Sequence, residues 1–101
     1  MSRLKFANLA RQDLREIHDY IAEDNEVAAE RVIEALEVRC RALIEMPNVG
    51  RKREDLARGR GLRSVVEGNY LILYRGIANG VYVARILHSK QDIENIVLEE
   101  E

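Results

Sequence analysis

Leu62-Arg63-Ser64-Val65-Val66-Glu67-Gly68-Asn69-Tyr70-Leu71-Ile72-Leu73-Tyr74-Arg75-Gly76-Ile77-Ala78-Asn79-Gly80-Val81-Tyr82-Val83-Ala84-Arg85-Ile86-Leu87-His88 decides the fold. Three β-rich runs, Leu62 to Glu67, Tyr70 to Ile77 and Val81 to His88, are separated by Gly68-Asn69 and Asn79-Gly80. Asn-Gly between apolar runs is a strong two-residue hairpin signal, because a left-handed turn needs residues that tolerate positive φ. Gly68-Asn69 suits a tight turn of the same kind. The runs therefore form a three-strand meander. Tyr70-Leu71-Ile72-Leu73-Tyr74 is apolar at both alternating sets of positions, the pattern of a central strand covered on much of both faces.

Upstream, the period changes from two to about 3.6. Ala10, Leu14, Ile17 and Ile21 make one stripe, with Asn8 placed to cap it. Glu23, Asp24 and Asn25 interrupt the pattern, and Asp24 or Asn25 can cap a second helix. Its stripe is Ala29, Val32, Ile33, Leu36, Cys40 and Leu43, and Pro47 stops it. The short interruption makes the two helices fold back antiparallel. Residues 2–6 alternate polar and apolar and read as a short strand. Residues 48–61 lack apolar periodicity and read as a loop. Residues 89–98, with Ser89 as cap and Ile93, Ile96 and Val97 apolar, read as a short last helix, with a fraying acidic tail beyond it. The expected architecture is α+β: an antiparallel sheet, made of the N-terminal strand plus the three-strand meander, packed against an N-terminal helical hairpin, with a short C-terminal helix. Where the first strand pairs is left open.

The 101 residues support a single domain spanning 1–101. With 47% hydrophobic and 34% charged residues, the composition is globular rather than disordered. No run of about eighteen apolar residues marks a membrane span, and no apolar stretch follows Arg3 and Lys5 to make a secretory signal. A cytoplasmic protein with no membrane partner is expected. The one cysteine excludes a disulfide framework or a cysteine-rich metal site.

The net charge of −2 conceals an asymmetry. Residues 51–63 carry six basic and two acidic groups, or +4, whereas residues 9–46 carry five basic and ten acidic groups, or −5. Residues 91–101 carry five acids and no base. The basic middle segment reads either as a solvated face or as a surface for a polyanion or acidic protein. The acidic balance of the whole chain argues against a general nucleic-acid binder, and no sequence-specific nucleic-acid contact is expected.

The glycines match neither dinucleotide nor Walker spacing, and His18, Cys40 and His88 lie on different elements, so no cofactor and no metal are expected. Cys40 reads as a small core residue and His18 as a boundary residue. His88 ends the last strand and reads either as a general base or as a strand terminator bonding the following turn. Arg63, Arg75 and Arg85 fall on the three meander strands, either as a clamp for phosphate or an acidic peptide or as a wet rim, with Glu67 a candidate partner. Tyr70, Tyr74 and Tyr82 combine apolar bodies with polar tips, suiting either packing under the hairpin or stacking on bases.

Residues 14–21, 47–53 with Asp55-Leu56, 61–64, 68–75 and 85–93, taken together in order and spacing, resemble ParE-type toxins of the RelE/ParE superfamily. The resemblance implies a cytosolic growth-inhibiting toxin of a type II toxin–antitoxin pair, of the kind that serves plasmid stabilisation. It also implies neutralisation by a cognate antitoxin, ParD-like or of another kind, in a hetero-oligomer. Within the superfamily, RelE-like members cut mRNA on the ribosome and ParE-like members act on DNA gyrase. The ribonucleases carry an arginine after the tyrosine of the Gly-x-Tyr turn, a second after the last strand, and often a tyrosine six residues later. Here those positions hold Leu71, Gln91 and Val97. Phosphodiester cleavage needs a base, an acid and cationic stabilisation of the phosphorane. The expectation is therefore a gyrase inhibitor with no catalytic residues of its own. Arg51, Lys52, Arg53, Arg63, Tyr70 and Arg75 are expected to contact antitoxin or gyrase. The alternative is a RelE-type endoribonuclease using Arg85, His88 and Lys90, or a non-toxic antitoxin-binding relative.

Overall fold

The computed structural model describes residues 3–56, 59–91 and 95–99. Within them the elements run β1 (Arg3–Phe6), α1 (Asn8–Ala22), α2 (Glu26–Ala42), β2 (Arg51–Lys52), β3 (Arg63–Glu67), β4 (Tyr70–Ile77) and β5 (Gly80–His88). They form an α+β domain in which the helical hairpin packs on a five-stranded sheet of order β1-β5-β4-β3-β2.

The two helices begin differently. Asn25 caps α2 as its residue type predicts, with Oδ1 accepting the Ala28 N–H at 3.0 Å. α1 has no such local cap: Ala7 holds the capping position, and Asn8 is already helical. The cap comes from the far end of the chain, where the Glu99 carboxylate accepts the N–H groups of Asn8 (3.2 Å) and Leu9 (2.9 Å). A carboxylate there also meets the positive end of the helix dipole. The expected fraying of the tail is thus corrected at Glu99. α2 ends at Ala42, several residues before Pro47.

The meander is as expected in order and antiparallel pairing. Its second turn is displaced by one residue. Ala78 and Asn79 are the turn residues, Asn79 takes positive φ (61°), and Gly80 already belongs to β5. Gly80 is needed for another reason: β1 crosses so close that a Cβ at this position would lie 1.9 Å from the Arg3 carbonyl oxygen.

Two further expectations are corrected. β1 does not extend the sheet antiparallel; it pairs parallel with β5, with Arg3 opposite Gly80 and Phe6 opposite Val83. The hairpin carries the chain from β1 to β2 at the opposite edge of the sheet, and the antiparallel steps through β3 and β4 bring β5 back beside β1 in the same direction. The segment 48–61 is not all loop, since Arg51 and Lys52 pair antiparallel with Ser64 and Arg63 as a two-residue edge strand. A run that short has no period to read. The short helix expected over 89–98 centres on residues 92–94, outside the described residues. On either side, Ser89 and Lys90 form a turn, and Ile96 to Glu99 follow a non-helical path.

β4 is covered on both faces, as its sequence requires. Ile72 and Tyr74 face the hairpin with Leu36, Cys40, Leu43, Val81 and Val83. Leu71 and Leu73 join Leu87 in a smaller cluster closed by Leu56 and Ile96. Each fully buried aliphatic side chain here is worth roughly 1.5–3 kcal/mol. Tyr74 is wholly buried, and its hydroxyl accepts the Gly50 N–H at 2.8 Å and donates to the Pro47 carbonyl at 2.9 Å. That pair of bonds holds the 47–50 segment onto the sheet. A Cβ on Gly50 would stand 2.5 Å from the same hydroxyl.

Candidate functional site

β1 stops opposite Val83, so beyond that point the outer edge of β5 needs another partner. α1 supplies it. Asp13, buried on the sheet-facing side of the helix, accepts the Ile86 N–H at 2.9 Å. The same carboxylate takes both Nε (2.8 Å) and Nη2 (2.9 Å) of Arg85. Arg85 Nη1 then donates to the Val97 carbonyl at 2.8 Å. The hydrogen bonds from Asp13 raise the Arg85 guanidinium further above its usual pKa. A register shift at Leu73/Tyr74, which leaves Ala84 as the extra residue of β5, sets Arg85 at this junction.

Beside the pair, α1, α2 and the ends of β4 and β5 enclose a groove of about 670 Å³. Ile17, Ile21, Val32, Tyr70 and Ile86 give it an apolar lining, with exposed Tyr20 and the polar Asp13, Glu16, Asn69, Arg85, His88 and Gln91 around them. Tyr70 meets His88 edge-on, with ring centroids 5.6 Å apart. Burial, and then the neighbouring Tyr20, push the Tyr70 phenol above its ordinary pKa, so it stays neutral at physiological pH. His88 Nδ1 accepts the Lys90 N–H at 3.2 Å, the strand-ending bond open to a histidine at this place. Tyr70, Arg85 and His88 thus converge on one groove.

The basic segment divides. Arg51 and Lys52 are exposed on the edge strand. Arg53 points inward: Nε and Nη2 grip both carboxylate oxygens of Asp55 (3.2 and 3.1 Å), and Nη1 reaches Ser64 Oγ at 3.2 Å. It is 9% exposed, so it adds little to the accessible basic surface. The Arg53 hydrogen bond holds the Asp55 carboxyl below its ordinary pKa. Arg63 donates to the carbonyls of Asn48 and Gly50 (3.2 and 2.9 Å), and Arg75 lies 5.2 Å over the Tyr82 ring. The three meander arginines therefore go to three different partners rather than forming one clamp. Glu67 does not pair with any of them; its carboxylate lies 4.0 Å from Arg39 of α2. His18 stays at the helix surface beside Asp19, at 3.2 Å. Cys40 is fully buried, and burial raises its thiol pKa to about 12. Among the described residues no group of His, Cys, Asp and Glu is arranged to hold a metal ion.

Two residues of this site, Asp13 and Glu99, were not singled out from the sequence. Asp13 carried a signal: it lies three residues after Ala10 and four before Ile17, a charged residue on the apolar stripe of α1. A carboxylate there requires a buried cation and donor. Glu99 carried none, because its partners are 90 and 91 residues away.

A hairpin packed on a small mixed sheet, with a groove between them, places the chain among small two-layer α+β domains. A solved chain from the chromosomal ParDE toxin–antitoxin system of P. aeruginosa shares this fold, with a TM-score of 0.68 at 21% identity over 87% of this chain and 96% of that one. The model of the ParE toxin of the type II toxin–antitoxin system parDE matches residues 4–93. The chain belongs to the ParE toxin family. No curated protein matches it in sequence.

Proposed function

We propose that the chain is the toxin of a toxin–antitoxin pair, that it inhibits growth by poisoning DNA gyrase without a catalytic step of its own, and that a cognate antitoxin neutralises it in the cytoplasm. The observation that carries the absence of catalysis is the Asp13–Arg85 pair. A ribonuclease built from Arg85, His88 and Lys90 needs Arg85 free for the phosphorane. Here the guanidinium is held on both carboxylate oxygens of Asp13 and on the Val97 carbonyl. Releasing it would strand a buried carboxylate. The His88 ring accepts a backbone N–H of the following turn rather than meeting an acid.

The groove beneath α1 is the surface for the antitoxin. It has an apolar floor and a polar rim, the anatomy of a protein-binding site. Exposed Arg51 and Lys52 on the edge strand, with Arg63 beside them, form the basic surface for gyrase or its bound DNA.

The ribonuclease reading is favoured by one observation, the convergence of Tyr70, Arg85 and His88 on the groove. The two separate cleanly. With purified gyrase and no ribosomes, the toxin should inhibit supercoiling and accumulate cleaved DNA, and His88→Ala should leave both effects intact. Unimpeded supercoiling, together with arrested translation that His88→Ala abolishes, would overturn the proposal.

A further inference from the structure

The last described residues lie on the domain as a ligand lies on a receptor. Ile96 packs against the apolar cluster of Leu71, Leu73 and Leu87. The Val97 carbonyl accepts from Arg85 Nη1 at 2.8 Å, and the Glu99 carbonyl accepts from Arg60 Nη1 at 3.2 Å. The Glu99 carboxylate closes on the uncapped start of α1, at Asn8 and Leu9. These anchors divide by what they read. Two arginines bind main-chain carbonyls, which any extended segment offers. The apolar cluster selects an aliphatic side chain, and the helix start selects a carboxylate. The bonds from Asn8, Arg60 and Arg85 lie at the surface, and the Val97 side chain is 66% exposed. The segment is held by its two ends rather than enclosed.

We propose that residues 96–99 are a latch occupying a peptide-binding site on the face of the sheet away from the hairpin, and that the site accepts from a partner an extended segment of the same chemistry: an aliphatic residue followed, three positions on, by a carboxylate. Tethering gives the resident segment an effective concentration in the millimolar range, so a partner segment succeeds only when it too is presented at high local concentration or when the latch is weakened. α1 needs a carboxylate at its start in either state, and the exchange therefore replaces one cap by another instead of losing it. This site shares Arg85 with the groove under α1 but otherwise uses different residues, and it does not rest on the choice between gyrase and ribosome.

The backbone amides of Asn8 and Leu9 report the cap directly in heteronuclear NMR spectra. In the full chain carrying Glu99→Gln, their exchange with solvent should quicken by roughly tenfold, the usual strength of a cap, while the amide of Ile72 in β4 keeps its protection. The doubly substituted chain Ile96→Ser, Glu99→Gln releases both ends of the latch. Adding an acetylated Asn-Ile-Val-Leu-Glu peptide at millimolar concentration should then return the Asn8 and Leu9 resonances toward their positions in the unaltered chain. The same peptide ending in Gln should not. Unchanged Asn8 and Leu9 amides in Glu99→Gln would mean that the cap is not formed in solution. Recovery with both peptides, or with neither, would mean that the site does not recognise such a segment. Either result overturns the proposal.

Discussion

Asp13→Ala tests the junction on which the site depends. The carboxylate side chain is 8% exposed and its Arg85 partner 13%. Removing it leaves the guanidinium with only the Val97 carbonyl among its bonds at this junction, and the Ile86 N–H without its acceptor. Breaking a buried pair from one side costs about 3–5 kcal/mol, because the remaining charge is uncompensated. Arg85 keeps some access to water, so the lower end, about 3 kcal/mol, is expected. For a domain near a hundred residues each kcal/mol moves the melting temperature by about 4–8 °C, giving a fall of roughly 12–24 °C. Urea unfolding followed by circular dichroism measures the loss at an unchanged slope, which shows that the folded state has not loosened. Asp13→Leu combined with Arg85→Met removes both charges and should recover part of the loss, since the Ile86 N–H still lacks its acceptor. A cost below about 1 kcal/mol for Asp13→Ala, the size of an ordinary surface change, would refute the reasoning. So would a double variant no more stable than the single one.

Two other outcomes follow from the packing. Gly80→Ala should detach β1 from β5, because the obstacle is the Arg3 backbone rather than a flexible side chain; a loss of about 2 kcal/mol or more, with the Arg3–Phe6 amides exchanging early, is expected, and an unchanged melting temperature would contradict it. Cys40 should resist iodoacetamide at pH 8 in the folded protein and react on unfolding, since burial raises its thiol to about 12. The unfolded thiol ionises near its ordinary 9.0 and the folded one about 12, so its contribution is intact below pH 9.0 and is lost as pH rises through that interval. Alkylation of the native protein as fast as of the denatured one would sink the assignment.

The sequence showed most clearly those elements whose determinants are local. The period of the hairpin stripes, the Asn25 cap and the order of the meander strands all depend on residues within a few positions of one another, and the structure keeps them, with two strand starts moved by one residue. β1 was readable as a strand but not as a parallel neighbour of β5, because the pairing direction depends on where the hairpin delivers the chain and on the number of antiparallel strands, the two-residue β2 included, that lead back to β5. β2 has only two residues, too few for alternation to appear. Asn79-Gly80 pointed to the right turn for a partly wrong reason: Asn79 supplies the positive φ, while Gly80 answers to the close approach of Arg3. In the site, Tyr70 and His88 come together as the strand pairing requires, since they are opposite each other in β4 and β5. Arg53 could not be told from Arg51 and Lys52 by charge alone. What separates them is the Asp55 carboxylate two residues on, which draws Arg53 inward over Ser64.

The charge map changes meaning once the acids are followed to their partners. Read along the chain, residues 9–46 and 91–101 are two acidic stretches flanking a basic one, an arrangement that suggests surfaces of opposite sign. In the fold, the decisive acid of each stretch serves as a backbone acceptor. Asp13 stands in for the strand that β5 lacks beyond Val83, and Glu99 stands in for the cap that Ala7 cannot provide. Both sit where a neutral side chain would leave N–H groups without an acceptor of equal strength. Arg85 belongs to the same construction, since it neutralises Asp13 and holds the segment that carries Glu99 to α1. An arginine engaged in this way is a structural group, whereas Arg51 and Lys52 stand exposed on the sheet edge. Substituting Arg85 should therefore lower stability and growth inhibition together, whereas substituting Arg51 or Lys52 should lower growth inhibition alone.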